Sequence, residues 1–306
     1  MTSISTTPRS YRYATTEDSV ARGTRGEAIP FSLFRTLSEP AQHLTLAMLP
    51  GSGHRKAHFE TPRWIDGLTA QGLDVLTLSY DRQHVHHLHD YARQVFLVLS
   101  AAGVMPEAVI LAGHSLGGAV AQVLASHDAL EEAGFASTTF AGVVLLAALV
   151  PELWLRTYIP VLFPLLLRHP RFSKQVQKDP SLLFADAGRA RKYLFQPTTP
   201  GEVVTWCQSL LCPESGQAAS ELLRTKTAPL AARRALLISG AHDGIVPPYL
   251  VWQSARRYQE LGCQAEYLLL PATPHNLMHD GAVERVIEAI CQFARSCGSD
   301  ATLQAA

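Results

Sequence analysis

Ser115 lies in Gly113-His114-Ser115-Leu116-Gly117, where an apolar run over 108–112 meets apolar residues at helical spacing that reach Ser126. A G-x-S-x-G pentapeptide between a strand and a helix reads as a sharp, strained turn whose glycines let backbones approach closely. Such a turn holds the hydroxyl above a sheet, beside helix N–H groups that favour developing negative charge. The chemistry would be nucleophilic attack; the plain alternative is a glycine-rich turn with a serine helix cap. A serine hydroxyl is a poor nucleophile at neutral pH, so it needs a base, and the base needs an orienting acid.

Two later stretches supply candidates. In ALLISGAHDGIVPP an apolar strand ends at Gly240, and Asp243 follows in a tight loop before Pro247 and Pro248. A D-G pair is also a common turn signal, and Glu152 is the fallback acid. In EYLLLPATPHNLMHD an apolar strand ends near Leu270, and His275 sits in the loop after it. His279 is the rival base, four residues on; His275 is nearer the strand end and is preferred. Serine, aspartate and histidine then occur in an order that serves one mechanism.

An oxyanion needs two N–H donors. One is expected from Leu116. The other is expected from Pro50-Gly51-Ser52-Gly53-His54, which directly follows an apolar strand: Ser52 first, then Gly53. A glycine-rich loop can also cradle phosphate, but neither G-K-[ST] nor G-x-G-x-x-G occurs. Gly53 and His114 are expected to lie against the substrate.

The elements that must position these residues are legible as short apolar runs alternating with helical patterns. Strands are expected at 29–36, 44–49, 74–79, 108–113, 141–148, 234–240 and 264–270, and helices at 62–71, 87–102, 116–126, 250–261 and 282–294. Several strands are almost wholly apolar, as strands buried on both faces are. The alternation predicts an α/β fold with a mostly parallel sheet, whose ligands gather beyond the carboxyl ends of the strands. From Pro151 to about Pro229 the alternation stops. That stretch reads as an inserted helical cap over 151–229, between two parts of a core at 26–150 and 230–298. Polar tails are expected at 1–25 and 299–306. Trp154, Leu162 and Phe163, in the cap's apolar run, are expected to line a pocket or to pack on the core.

Composition bounds the function. Apolar residues make up 47% of the chain and charged residues 17%, enough for a sizeable core. Lys plus Arg and Asp plus Glu both number 26, so no basic field exists to hold nucleic acid. The five cysteines form no C-x-x-C pair, which speaks against a disulfide framework or zinc site and for a reducing, cytoplasmic setting. The N-terminus lacks the apolar segment of a secretory signal, and the run from Leu153 is too broken by Arg156, Pro160 and Pro164 to span a membrane. His84, His86, His87 and His89 stand beside Asp90 in spacing that matches no standard metal site, so a polar loop is expected and no metal.

On Gly113-His114-Ser115-Leu116-Gly117-Gly118, Gly240-Ala241-His242-Asp243 and His275-Asn276-Leu277-Met278, the chain from about Ile29 to Cys297 resembles the α/β-hydrolase superfamily, in particular its capped esterase and lipase-like members. The resemblance implies Ser115 as nucleophile, Asp243 as acid and His275 as base. It implies hydrolysis of a carboxylic ester or related acyl or aromatic small molecule without a cofactor. Thioester hydrolysis, acyl transfer, lactone opening and C–C hydrolysis use the same residues. So does a small-molecule receptor that keeps a residual triad. Two departures stand out: Pro50-Gly51 replaces the usual His-Gly, and SYDRQHVHHLHD lacks the glycines of D-x-R-G-H-G. Oligomeric state has no sequence signal.

Overall fold

The computed structural model describes residues 13–37, 44–132, 134, 138–148, 170–221, 225–279 and 281–304. Its eight strands are β1 (Tyr13–Arg22), β2 (Ala28–Thr36), β3 (Thr45–Leu49), β4 (Asp74–Leu78), β5 (Val109–His114), β6 (Gly142–Leu146), β7 (Arg234–Gly240) and β8 (Gln264–Leu270). They form one sheet in the order β1-β2-β4-β3-β5-β6-β7-β8. β2 is antiparallel to both its neighbours, and every pairing from β4 to β8 is parallel.

β3, β4, β5 and β6 are buried at every position, which explains why they are mostly apolar, with Thr45, Asp74, Thr77 and His114 as buried polar exceptions. Alternate side chains serve opposite faces. Leu46 and Met48 join a core with Trp64, Ile65 and Leu68 of α1 (Pro62–Thr69). Ala47 and Leu49 join the other core, with Tyr91, Val95 and Val98 of α2 (Leu88–Ala102) and Ala119, Val120 and Val123 of α3 (Leu116–Leu124). α4 (His127–Glu132) follows before β6.

Between β6 and β7 the described residues form α5 (Pro170–Lys178), α6 (Ala187–Leu194), α7 (Gly201–Ser209) and α8 (Gly216–Glu221), with no strand among them. Ala190, Leu194, Phe195, Val204 and Cys207 give this segment a small core of its own. α9 (Pro248–Glu260) and α10 (Val283–Gln304) complete the fold. Glu152, Trp154, Leu162 and Phe163 lie outside the described residues. Among the described residues, no helix is long and apolar enough to cross a membrane.

Two boundaries differ from the sequence expectation. Residues 13–22 belong to the sheet and not to a polar tail: β1 pairs with β2 from Tyr13↔Thr36 to Arg22↔Ala28. An edge strand needs backbone pairing on one side only, so it carries no apolar run to announce it. The C-terminal tail expected from 299 is also shorter, because α10 continues to Gln304. Gly298 does not stop it, because a glycine inside a helix costs only about 1 kcal/mol, and no proline follows.

The chain leaves β3 toward β4 on one side, then returns to form β5 on the other. Loops after β3 and β5 therefore diverge at the carboxyl edge of the sheet, where a crevice opens in folds of this kind. Leu49 pairs with Gly113, so Pro50–His54 and Ser115 emerge side by side. At the next strands, Gly240 pairs with Leu270, which starts the Asp243 and His275 loops together.

Candidate active site

Ser115 is the N-cap of α3 with φ 53° and ψ −117°, a backbone conformation that few residues with a Cβ adopt. It is held there from both sides. Its N–H donates to the Leu146 carbonyl at 3.0 Å, and its carbonyl accepts from the Gly118 N–H at 3.0 Å. The surrounding glycines are sterically required. A Cβ on Gly117 would stand 2.1 Å from the Leu49 carbonyl oxygen, and one on Gly113 would stand 2.2 Å from the Gly117 carbonyl oxygen. The two glycines let α3 start directly over β3 and β5, with the Ser115 side chain at the turn. Leu116 opens the helix, so its N–H has no acceptor within it.

Asp243 and His275 meet. His275 Nδ1 lies 2.8 Å from Asp243 Oδ2 and 3.0 Å from Oδ1. The Asp243 carboxylate also accepts the N–H groups of Ile245 at 2.7 Å and Val246 at 2.8 Å, which fixes its orientation. Its side chain is fully buried and that of His275 nearly so. The two loops are joined by the His242 N–H, which donates to the Thr273 carbonyl at 2.9 Å. Gly240 permits this approach: a Cβ there would come within 2.2 Å of the Thr273 oxygen. A carboxylate only accepts, so Nδ1 of His275 carries the proton and Nε2 is the free basic nitrogen. No hydrogen bond joins Ser115 Oγ to His275 among the described residues. In ligand-free sites such contacts are often long and tighten in the substrate complex.

Among the described residues, His279 has no carboxylate partner of this kind. It is half-buried beside Trp206, at 5.1 Å between ring centroids, and 6.4 Å from His58, and its Nε2 is buried without a hydrogen-bond partner among the described residues. Burial pushes its pKa down to about 3. It belongs to a row of imidazoles that sequence reading missed. His54 stacks on His58 at 4.1 Å and lies parallel to His114 at 5.6 Å, and His114 is 4.9 Å from His275. Burial lowers His58 to about 4 and holds His54 and His114 well below the usual imidazole range. These four rings are neutral at neutral pH. His114, expected against the substrate, is 1% exposed; its Nε2 donates to the His275 carbonyl at 3.1 Å and so braces the loop that carries His275.

The loop after β3 is a tight turn. His54 N–H donates to the Gly51 carbonyl at 3.0 Å, and Gly53 at φ +71° takes the third position, as a type II turn requires. Gly51 sits against the Ser115 turn: a Cβ on it would stand 3.2 Å from Ser115 Cβ. Gly53, the second choice for an oxyanion donor, has both backbone groups engaged. Its N–H donates to Glu214 Oε2 at 2.9 Å, and its carbonyl accepts from the Cys212 N–H at 2.9 Å. The Ser52 N–H has no acceptor among the described residues.

The histidine-rich loop before α2 makes local contacts. Asp90 accepts the N–H groups of His86 and His87, His84 Nδ1 lies 3.0 Å from Asp81, and His87 meets Glu221. Among the described residues, no group of three or more His, Cys, Asp or Glu side chains is arranged to hold a metal.

Comparison with known proteins agrees with this architecture. The alpha/beta hydrolase family model matches residues 46–289. No curated protein matches the sequence significantly. Among solved structures, a thermophilic esterase from Thermogutta terrifontis is similar with a TM-score of 0.62 at 16% identity, covering 94% of this chain and 99% of that one. An esterase from Rhodococcus gives a TM-score of 0.62 at 18% identity, over 92% of this chain and 100% of that one. The esterase of Exiguobacterium antarcticum gives 0.61 at 14% identity, over 91% and 99%. At such identities the likeness is one of fold. The family model spans the parallel strands from β3 to β8 and the loops that bear Ser115, Asp243 and His275, and the chain belongs to the alpha/beta hydrolase family.

Proposed function

We propose that the protein is a serine hydrolase that cleaves a carboxylic ester or related acyl compound through an acyl-enzyme. The observation that carries this reading is the strained Ser115 turn at the sheet edge that also bears the Asp243–His275 pair. The esterases named among similar structures are consistent with it.

In this reading Ser115 Oγ attacks the acyl carbon as His275 Nε2 takes the hydroxyl proton. Asp243 keeps the Nδ1 proton in place and stabilises the imidazolium. The carbonyl oxygen gains the negative charge and accepts the N–H groups of Leu116 and Ser52. When the tetrahedral intermediate collapses, the carbon–oxygen bond to the alcohol breaks, and His275 returns the proton to the leaving alkoxide. Water then attacks the acyl-enzyme, again giving its proton to His275, and Ser115 is released with the acid.

The neutral row of His54, His58 and His114 suits this chemistry. Charged imidazoles beside His275 would oppose the imidazolium that must form. The segment between β6 and β7 is read as a cap. Its apolar residues Trp154, Leu162 and Phe163 would receive the lipophilic part of the substrate.

The test is covalent labelling with a fluorophosphonate, followed by turnover of acyl esters of graded chain length. Labelling at Ser115 with multiple turnover is expected. A folded protein that takes no label and turns over no ester would sink the proposal. Labelling without turnover, with ligand-dependent stabilisation, would mark a receptor instead.

A further inference from the structure

Glu214 is a carboxylate with a fully buried side chain, far in sequence from Ser115, and no motif announced it. Burying a carboxylate is costly unless its oxygens are filled. Here they are: it accepts Gly53 N–H at 2.9 Å, Arg82 Nε at 3.3 Å, Ser215 N–H at 3.0 Å and the Tyr91 hydroxyl. Arg82 is itself largely buried, and the carboxylate beside it holds its pKa above the usual value. Its Nη2 donates to the His54 carbonyl at 2.7 Å and approaches that of Gly51 at 3.5 Å.

The two side chains thus grip the same four-residue turn by complementary groups. Glu214 takes its inner N–H, and Arg82 takes carbonyls at its two ends. Ser52 lies between these anchors and keeps its own N–H unassigned. Local structure holds such a turn only loosely: Gly51-Ser52-Gly53-His54 has two glycines, and its closing hydrogen bond survives when the central peptide of a type II turn flips to type I. The Glu214 carboxylate accepts the N–H of that central peptide and holds it in one orientation, while Arg82 approaches the carbonyl of the Gly51–Ser52 peptide, the one that carries the Ser52 N–H.

We infer that Glu214 and Arg82 are positioning residues that lock the Gly51–His54 turn so that the Ser52 N–H meets the oxyanion. The inference rests on the proposed acyl-enzyme reaction. Neither side chain touches the reacting atoms. Their effect is expected in the tetrahedral state, where a donor displaced by about 1 Å loses on the order of a hundredfold in rate. Ground-state binding should change little.

The experiment compares two inhibitors of the full-length protein, trifluoromethyl hexyl ketone and methyl hexyl ketone. With the first, Ser115 Oγ bonds to the carbonyl carbon, the hydroxyl proton passes to His275, and the carbonyl oxygen becomes an oxyanion. The second binds as a neutral carbonyl. The ratio of their affinities therefore reads the oxyanion site, and para-nitrophenyl hexanoate gives kcat and KM in parallel.

Glu214→Ala should lower kcat and the affinity ratio together, by about ten- to a hundredfold, with KM within about threefold. Glu214→Gln, which keeps an oxygen for Gly53, should restore most of both. A folded Glu214→Ala protein whose ratio equals that of the wild type overturns the inference, even if kcat falls. Should Glu214→Ala not fold, Arg82→Gln is read in the same way: a ratio lowered severalfold supports the inference, and an unchanged ratio overturns it. If the wild-type protein forms no adduct at Ser115, the failure belongs to the proposed reaction and takes the inference with it.

Discussion

Asp243 and His275 share a two-pronged contact, with Nδ1 of the imidazole 2.8 Å from one carboxylate oxygen and 3.0 Å from the other. The contact fixes which nitrogen carries the proton. It also separates His275 from His279, which lies four residues further along the loop, faces Trp206 and His58, and has no such carboxylate contact among the described residues. Asp243→Asn should therefore keep the fold and lose hydrolysis by on the order of a thousandfold or more, because an amide can present its N–H to Nδ1 and hold the wrong tautomer. His275→Ala should be about as damaging. His279→Ala should cost stability and much less activity. Ester hydrolysis by the three purified variants, each with a melting curve, checks this, and loss of activity in His279→Ala alone would reverse the assignment.

Ser115 has a backbone that glycine would adopt more readily. Ser115→Ala should melt like the parent and lose about a thousandfold or more in turnover. Ser115→Gly should be equally inactive but more stable, by about 1 kcal/mol, because it relieves the strain at φ 53°. Denaturant midpoints decide the point. A glycine variant no more stable than the alanine variant would show that the turn stores little strain.

Gly117 meets the backbone of β3, with the Leu49 oxygen 2.1 Å from where a Cβ would be. A carbonyl in a sheet cannot swing aside as a flexible side chain can. Gly117→Ala should destabilise the protein by about 3 kcal/mol and displace Ser115, although alanine is the better helix former by about 1 kcal/mol. A variant of parental stability would contradict the close approach.

The buried histidines predict an acid limit to stability. His58 titrates at about 4 and His279 at about 3 when folded, against about 6.5 when unfolded. Between those values the unfolded chain takes up protons that the folded chain refuses. Stability is therefore fully present above pH of about 6.5 and falls as pH drops toward 4, with His58 alone contributing on the order of 3 kcal/mol. Urea midpoints from pH 7 to 4.5 should show this decline. His58→Gln should make the slope shallower whatever it does to the stability at pH 7, and an unchanged slope would mean that His58 is not a protonation-linked group.

Much of this was legible before the fold was known. Arg234–Gly240 and Gln264–Leu270 are strands with the bounds their apolar runs suggest, since each ends where glycine or proline stops the run. The meeting of Asp243 and His275 was legible because both follow adjacent strands. Tyr13–Arg22 was not, because an edge strand draws its stability from backbone pairing with β2 and needs no apolar signature. Glu214 was not legible either. Its importance comes from a bond to Gly53, distant in sequence, and a lone glutamate before a short helix carries no periodicity or spacing to reveal it. The stacking of His54 on His58 was not legible, because only packing brings the two rings together as a neutral pair.

β6 and β7 pair directly, Val143 with Ala235 and Leu146 with Ile238, although the whole helical segment lies between them in the chain. The sheet closes over this segment as though it were a loop. The entropy of closing a loop rises only slowly with its length, by about 0.6 kcal/mol for each doubling. The length and composition of that segment can therefore drift over generations with little effect on the sheet that carries Ser115, Asp243 and His275. The contact between Glu214 and Gly53 is where such drift would first meet resistance, because a replacement segment must still deliver an acceptor to that N–H. Lineages that keep the turnover and change the substrate would be expected to vary the helices on either side of Glu214 and to spare the residue itself.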